Sequence, residues 1–177
     1  RNNVALNIGR FTEVKQQWIL LDIWNSLVNI KKIKTWKLFM VGEGENRLMF
    51  ENFIRTNKLD DFVLLLPPRL DVEYYYRQSS LFLLTSKTEG FGMVLLEAIS
   101  FGIPCISFDC PSGPRDMIKN NDNGYLIPLN NKNEFLEAIV KIIGDNNLKD
   151  QLGMNAFQLS KDWEDERLLK KWHTIFN

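Results

Sequence analysis

Short apolar runs of strand length alternate along this chain with longer segments that have the apolar periodicity of a helix. That alternation is typical of repeated βα units, in which parallel strands form a central sheet and helices cover both of its faces. The pattern predicts an α/β fold, a three-layer αβα sandwich with a six-stranded parallel sheet. The predicted strands cover residues 4–8, 37–41, 62–66, 81–85, 105–108 and 124–127.

Helical periodicity fills the segments between these strands and continues beyond the last one. Asn131 followed by Glu134 resembles a capping box that opens a helix with Phe135, Ile139 and Ile143 on its apolar face, and Gly144 closes that helix. No repeat or linker interrupts the order, so we predict a single domain over residues 1–177. The other predicted helices cover residues 16–30, 45–56, 72–79, 92–101, 114–119, 148–159 and 164–175.

The overall composition excludes several classes of protein. The 22 basic residues balance the 22 acidic ones, whereas proteins that hold nucleic acid usually carry a net basic charge or a basic stripe. Cys105 and Cys110 form neither a disulfide framework nor a zinc-ligand pattern, so we expect both thiols to be reduced. With no signal peptide and no apolar stretch of about 18 residues, the sequence favours a cytoplasmic protein.

The beginning of the chain bears on its completeness. It enters its first strand directly after Arg1, Asn2 and Asn3 and has no initiator methionine. We therefore expect it to be an excised part of a longer protein.

The loop after the first predicted strand carries a glycine and two cations. In an open α/β sheet, ligands bind outside the carboxyl ends of the strands. Gly9 permits close approach to the backbone, and Arg10 and Lys15 could converge on a diphosphate near a helix start. The alternative is that both cations are simply solvated at the start of a helix.

The loop after the fourth predicted strand is the most informative segment. Its glycines leave the amides of Gly92, Met93 and Val94 free to face an anion or sugar hydroxyls at the start of a helix. Glu89 precedes that helix, where it could simply complement the helix dipole. Glu97 lies within the helix among apolar residues, where it is either a surface residue or needs a hydroxyl partner if it is buried.

The residues of these two loops together resemble the large, retaining glycosyltransferase family four of the GT-B fold. Residues 9, 10 and 15, the segment 89–92 and Glu97 carry the resemblance, which runs over nearly the whole chain. It implies a Rossmann-like domain, the C-terminal donor-binding half of a GT-B enzyme whose N-terminal acceptor domain is absent here. Residues 108–118 are similar to members that build bacterial surface polysaccharides, lipopolysaccharide and capsule among them, although Asp116 stands where those members usually carry glutamate.

The resemblance also implies roles for individual residues. Arg10 and Lys15 would hold the diphosphate and stabilise the departing nucleotide, and Glu97 would bind the ribose hydroxyls. Glu89 would bind the transferred sugar and, with Arg10 and Lys15, form the catalytic set. The nucleotide base would lie near the loop that contains Arg69. The full predicted donor site is Gly9, Arg10, Lys15, Arg69, Glu89, Gly90, Phe91, Gly92, Met93, Val94, Leu95 and Glu97.

Three other patterns receive a structural interpretation. The pair Gly42 and Gly44 has Arg47 where a dinucleotide fingerprint needs a third glycine, so we expect that loop to support the cleft. His173 has no nucleophile pattern beside it and is not a catalytic candidate. The tryptophans 18, 24 and 36 near a cluster of lysines fit core packing better than contact with a membrane surface.

The resemblance therefore implies the donor-binding domain of a retaining hexosyltransferase that uses a UDP-hexose or UDP-N-acetylhexosamine and a glycan or lipid-linked acceptor. No metal or other cofactor is expected, because the two cations offer a metal-free route. The fragment alone is expected to be nearly inactive, and the full-length enzyme could touch the inner face of the plasma membrane. The alternatives are a GT-B sugar-nucleotide epimerase and a non-catalytic nucleotide-binding module.

Overall fold

The computed structural model describes residues 2–163, which form a six-stranded sheet between two layers of helices. All strand pairs are parallel, as predicted. Four strands have the predicted bounds, and the other two are one residue shorter. The strands are β1 Val4–Ile8, β2 Lys37–Val41, β3 Val63–Leu66, β4 Leu81–Leu84, β5 Cys105–Phe108 and β6 Gly124–Ile127.

The order of the strands across the sheet is β3-β2-β1-β4-β5-β6. The chain therefore moves outward in one direction from β1 and returns to start again at β4, which pairs with β1 through Ala5 and Leu81. In open α/β sheets the crevice at such a reversal point is the place where ligands bind. The loops after β1 and β4 lie at that reversal point.

Helices cover both faces of the sheet. Helices α1, α2 and α6 pack on one face, and α3, α4 and α5 pack on the other, where α7 also contributes Ala156. The helices are α1 Gln17–Asn25, α2 Arg47–Thr56, α3 Glu73–Gln78, α4 Met93–Ser100, α5 Pro114–Met117, α6 Lys132–Gly144 and α7 Asn146–Ser160.

Each face of the sheet has its own apolar core. Trp24 of α1, Phe50 of α2 and Phe135 of α6 are fully buried on the first face. Tyr76 of α3 and Leu95 of α4 are fully buried on the second. Full burial of a large apolar side chain contributes about 1.5–3 kcal/mol, so both helical layers are held firmly against the strands.

The predicted helices over residues 16–30 and 114–119 were wrong in detail, whereas the predicted cap at Asn131 is present with one altered contact. The predicted helix over residues 16–30 is not one α-helix, because Gln16 has a left-handed backbone (φ 49°) and residues Ser26–Ile30 form a wider π-helical turn. The helix predicted over 114–119 ends at Met117, since Ile118 is extended. At Asn131 the side chain accepts from the Glu134 amide as predicted, but the Glu134 carboxylate accepts from the side-chain amide of Asn131.

The tryptophans and cysteines named in the sequence analysis differ in burial. Trp24 and Trp36 are buried in the core, and Trp18 is 39% exposed. Cys105 and Cys110 are both free thiols, and both are buried. Within residues 2–163 no helix is long and apolar enough to cross a membrane. The helix predicted over residues 164–175 and His173 lie outside the described residues.

Candidate functional site

The loop after β1 presents Arg10 at the carboxyl edge of the sheet. The backbone carbonyl of Arg10 accepts a hydrogen bond from the side chain of Gln17, at 2.9 Å, and Gln17 is itself buried. The Arg10 side chain is exposed, and its guanidinium has no hydrogen-bond or ion-pair partner among the described residues. The backbone is therefore anchored while the charge stays available to an anion.

Lys15 ends the same loop and is joined to Glu89 in the loop after β4. Lys15 Nζ lies 2.7 Å from both carboxylate oxygens of Glu89, and the Ser86 hydroxyl donates to Glu89 Oε1 at 2.5 Å. The Glu89 side chain is only 7% exposed, whereas that of Lys15 is 27% exposed. The structure thus brings these two predicted catalytic residues together as a partly buried ion pair.

The start of α4 offers unpaired backbone amides. Gly92 precedes α4 with a left-handed backbone (φ 81°), which glycine adopts at little cost. The amides of Gly90, Phe91, Gly92, Met93 and Val94 meet no hydrogen-bond acceptor in the part of the chain that is described. Since helix N-termini and free amides favour anions and hydroxyl oxygens, this turn can hold a polar ligand.

Two structural features of this turn concern Leu95, a residue of the predicted donor site, and Gly113, which packs against the turn. The Leu95 amide is already bonded to the Gly92 carbonyl at 2.8 Å, and the Leu95 side chain is fully buried. Gly113 in the loop after β5 supports the turn from behind, because a Cβ at Gly113 would lie 2.4 Å from the carbonyl oxygen of Phe91. The position of the free amides therefore depends on a close backbone contact.

Glu97 lies in the middle of α4 and is partly exposed. The Tyr76 hydroxyl donates to Glu97 Oε2 at 2.6 Å, so the hydroxyl partner expected for this carboxylate is supplied by the protein itself. The pKa of Tyr76 is raised far above its ordinary value by burial, with further contributions from the hydrogen bond to Glu97 and the charge of that residue. The hydroxyl therefore keeps its proton and donates the hydrogen bond to Glu97.

A cleft of about 460 Å³ opens at the carboxyl edge between the loops after β1, β2 and β3. Gly9, Arg10 and Arg69 of the predicted site line it, together with Gly42 and Gly44. The guanidinium of Arg69 lies 4.6 Å from the centre of the Tyr74 ring. Glu43 also lines the cleft, and its carboxylate pairs with Arg47. With mostly apolar walls and two arginines, the cleft suits a ligand with a flat apolar part and negative charge.

The predicted residues form three adjoining groups around this edge. Gly9 borders the cleft and also adjoins Lys15, because a Cβ at Gly9 would lie 3.8 Å from Lys15 Cδ. Lys15 pairs with Glu89, and Glu89 directly precedes the amides at the start of α4. Neither Lys15, Glu89 nor Glu97 lines the cleft itself. No group of three or more His, Cys, Asp or Glu side chains within residues 2–163 is placed to hold a metal ion.

Several supporting residues were not predicted from the sequence. Ser86, Tyr76, Gln17 and Gly113 each fix a predicted residue through a hydrogen bond or a close backbone contact. Ser86 could have been found, because it is three residues from Glu89 in a loop. Nothing in the sequence pairs the others with their partners. Cys110 also lies near this edge, and burial, then the charge of Glu89, raises the pKa of its thiol.

The expectation that residues Gly42 and Gly44 support the cleft is confirmed. A Cβ at Gly42 would lie 2.0 Å from the carbonyl oxygen of Gly9, and one at Gly44 would lie 2.5 Å from that of Phe11. The loops after β1 and β2 are also joined by a hydrogen bond from the Phe11 amide to the Glu43 carbonyl, at 2.8 Å. The glycines let these two loops touch.

Comparison with known proteins gives the family context of this site. The model of the family described as "Glycosyl transferases group 1" matches residues 1–159. The amylovoran biosynthesis glycosyltransferase AmsD of Erwinia amylovora is 35% identical over 177 residues, which cover 100% of this chain and 49% of that protein. The lipopolysaccharide 1,6-galactosyltransferase of Salmonella typhimurium is 34% identical over 144 residues, which cover 79% of this chain and 39% of that protein.

A solved structure agrees closely with the fold. A mutant of TarM from S. aureus, in complex with fondaparinux, alpha-GlcNAc-glycerol and UDP, matches with a TM-score of 0.90 at 27% identity. The match covers 99% of this chain and 36% of the TarM chain. The chain spans about half the length of the first curated relatives that it matches.

Proposed function

The chain belongs to the glycosyl transferases group 1 family, and from that premise we propose that it forms the donor-binding part of a retaining glycosyltransferase. The donor is a nucleotide sugar, UDP-linked, and the transferred unit is a hexosyl or N-acetylhexosaminyl group. The acceptor is a glycan or a lipid-linked glycan.

The observation that carries this proposal is the meeting of the loops after β1 and β4 at the reversal point of the sheet. There the ion pair of Lys15 with Glu89 lies at the same edge of the sheet as the guanidinium of Arg10 and the amides from Gly90 to Val94. Neither the guanidinium nor these amides have a partner within residues 2–163. An extended ligand with phosphates in its middle and hydroxyls at both ends matches that distribution of cations, amides and carboxylates.

The chemistry that we propose is electrostatic. As the bond between the sugar carbon and the diphosphate oxygen breaks, its electron pair stays on the diphosphate, and Arg10 with Lys15 stabilises that charge. A hydroxyl oxygen of the acceptor bonds to the same sugar carbon, and its proton passes to an oxygen of the departing diphosphate. The amides at the start of α4 and the carboxylate of Glu89 hold the sugar hydroxyls and orient the ring. These groups supply the predicted chemistry without a metal ion, so we propose no metal cofactor.

The relatives support the class of substrate. AmsD is named for amylovoran biosynthesis, the Salmonella protein for a lipopolysaccharide galactosyltransferase, and the TarM structure contains UDP. We therefore propose a role in the synthesis of a surface polysaccharide by a cytoplasmic enzyme, in contact with the inner face of the membrane where the acceptor is lipid-linked. Transfer is proposed for a longer protein, and the 177-residue chain alone is expected to bind the donor weakly and to transfer little sugar.

The proposal is tested by calorimetric titration of the chain with UDP, UMP, GDP and ADP. We expect UDP to bind best, and Arg10→Ala to raise the Kd of UDP about tenfold or more while affecting UMP less, because only UDP carries the second phosphate. The matched control is Arg55→Ala, at an exposed arginine in the last turn of α2, which should leave the Kd of UDP unchanged.

Three results would contradict the proposal. If Arg10→Ala and Glu97→Ala each left the affinity for UDP unchanged, the site assignment would fail. Isomerisation of a UDP-sugar without any acceptor would favour an epimerase, and UDP binding without transfer by the full-length protein would favour a non-catalytic module.

A further inference from the structure

Tyr76 and Glu97 form a hydroxyl–carboxylate contact to which the proposed function assigns no purpose. The Tyr76 hydroxyl donates to Glu97 Oε2 at 2.6 Å and also lies 3.3 Å from the carbonyl oxygen of Val94, one turn earlier in α4. The hydroxyl is thereby attached to the backbone and to a side chain of the same helix. It cannot move away from α4 without losing both contacts.

The ring of Tyr76 is held in place by its neighbours. It is fully buried and stacks on Phe101, with 5.4 Å between the ring centres and 10° between the planes. The ring of Phe82 in β4 is tilted relative to that of Tyr76, and the two ring centres are 6.1 Å apart. Because these contacts involve only the ring, Tyr76→Phe preserves them while it removes the hydroxyl.

Glu97 keeps one oxygen without a partner. Its Oε2 accepts from Tyr76, whereas Oε1 has no hydrogen-bond or ion-pair partner within residues 2–163. A partly exposed carboxylate with no cation beside it can adopt several rotamers, and a short hydrogen bond from a fixed donor selects one of them. The bond therefore orients the carboxylate and leaves the lone pairs of Oε1 for another donor.

We propose that Tyr76 is a positioning residue that orients Glu97 toward the pentose hydroxyls of the nucleotide and so makes the site prefer ribonucleotides to deoxyribonucleotides. This inference rests on the proposed function and on the role that the family resemblance implies for Glu97, which is to bind the ribose hydroxyls. Tyr76 itself makes no contact with the nucleotide, and its whole effect on binding passes through the carboxylate.

The neighbouring tyrosine is a matched control. Tyr75 is also buried, on the same helix, but its hydroxyl donates to the carbonyl oxygen of Pro67 at 2.8 Å in the loop after β3. Tyr75→Phe therefore removes a tyrosine hydroxyl from the same turn of α3 without touching Glu97. Its effect on nucleotide binding should not depend on the ribose hydroxyls.

The experiment measures the Kd of UDP and of 2′,3′-dideoxy-UDP for the wild-type chain, Tyr76→Phe, Tyr75→Phe, Glu97→Gln and the double variant Tyr76→Phe/Glu97→Gln. We expect Tyr76→Phe to raise the Kd of UDP by about three- to tenfold, the range for one hydrogen bond, and to leave that of the dideoxy nucleotide unchanged. In Tyr75→Phe the ratio of the two Kd values should equal that of the wild type. Adding Tyr76→Phe to Glu97→Gln should cost no further UDP affinity.

The outcomes separate this inference from the proposed function. Suppose that Tyr76→Phe raised the Kd of both nucleotides by the same factor, while Glu97→Gln removed only the preference for UDP. The positioning role of Tyr76 would then be wrong, and the ribose contact of Glu97 would stand. If Glu97→Gln kept the full preference for UDP, or the wild-type chain bound neither nucleotide, the ribose contact would fail and the inference with it.

Discussion

Lys15 Nζ lies 2.7 Å from each carboxylate oxygen of Glu89, and this ion pair joins the loop after β1 to the loop after β4. The two loops follow β1 and β4, which pair with each other at the reversal point of the sheet. In the free protein Lys15 holds the Glu89 carboxylate in place, because it bonds to both oxygens of a side chain that is nearly buried. A ligand that recruits Lys15 to a phosphate must share the cation with Glu89.

We expect Lys15→Met to lower the free energy of unfolding by about 1–3 kcal/mol, because it leaves the Glu89 carboxylate buried with only the Ser86 hydroxyl as a partner. The double variant Lys15→Met/Glu89→Gln should recover much of that loss, since the charge is removed as well. Urea unfolding of the wild type, both single variants and the double variant measures the coupling energy.

The matched control for this cycle is the exposed ion pair of Lys31 with Glu137, whose side chains are 40% and 62% exposed. The same substitutions there, Lys31→Met and Glu137→Gln, should show a coupling below about 0.5 kcal/mol, as is usual for a solvated pair. A coupling at Lys15 and Glu89 no larger than this would show that burial does not strengthen the bond between the loops.

Gly90→Ala should separate binding from stability. A Cβ at Gly90 would meet no atom within 4 Å, so the free energy of unfolding should change by less than about 0.5 kcal/mol. The added methyl group would fill space that the donor's sugar is proposed to occupy, and the Kd of a UDP-sugar should rise while that of UDP changes little. Calorimetric titration with both ligands measures the two effects.

Gly144→Ala, in the last turn of α6, is the control for this substitution, because a Cβ there also meets no atom within 4 Å. It should stabilise the fold by up to about 1 kcal/mol, since alanine favours a helix over glycine, and leave both Kd values unchanged. The proposed place of the sugar would be wrong if Gly90→Ala bound a UDP-sugar as tightly as the wild type.

The sheet was predictable because its strands are short runs of mostly apolar residues, as is typical of strands that are buried on both faces. Val4–Ile8, Lys37–Val41 and Cys105–Phe108 have the predicted bounds for that reason. The irregular points were not predictable from periodicity. Gln16 adopts a left-handed backbone between the 3-10 turn Glu13–Lys15 and helix α1. A pattern of apolar residues does not report a single backbone angle.

The sequence predicted that the candidate site residues lie at the carboxyl ends of the strands, but it did not predict their contacts. Glu97 was expected to need a hydroxyl partner because a buried, unpaired carboxylate is costly. That the partner is Tyr76, 21 positions earlier in the chain, depends on how α3 and α4 pack side by side on one face of the sheet. The sequence specifies that both segments are helical, whereas their mutual register follows from packing alone.

High pH should destabilise the fold through three buried groups. Burial raises the pKa of Tyr76, Cys105 and Cys110 above the ordinary values of 10.0 for tyrosine and 9.0 for cysteine. In the unfolded chain these groups lose their protons first, so the unfolded state binds fewer protons and the free energy of unfolding falls as the pH rises above 9.0. Urea unfolding under reducing conditions, between about pH 7.5 and 10.5, measures this slope.

Tyr76→Phe and Cys105→Ala should each make that slope shallower, because each removes one group that releases a proton on unfolding. Tyr74→Phe, at a tyrosine that is 45% exposed, is the control and should leave the slope close to that of the wild type. Equal slopes for the wild type and Tyr76→Phe would show that this hydroxyl does not take part in the alkaline loss of stability.

Gly42→Ala should destabilise the fold by about 1–3 kcal/mol, the usual cost of inserting an atom into packed surroundings. Its Cβ would lie 2.0 Å from the carbonyl oxygen of Gly9, and a backbone atom cannot yield as a flexible side chain can. Glu43→Ala, between the two glycines, should cost less than about 0.5 kcal/mol, since the Glu43 side chain is exposed and only pairs with Arg47. If urea unfolding gave equal stability for Gly42→Ala and Glu43→Ala, the glycine would not be needed for contact between the loops, and a direct role in the cleft would become the better explanation of this residue.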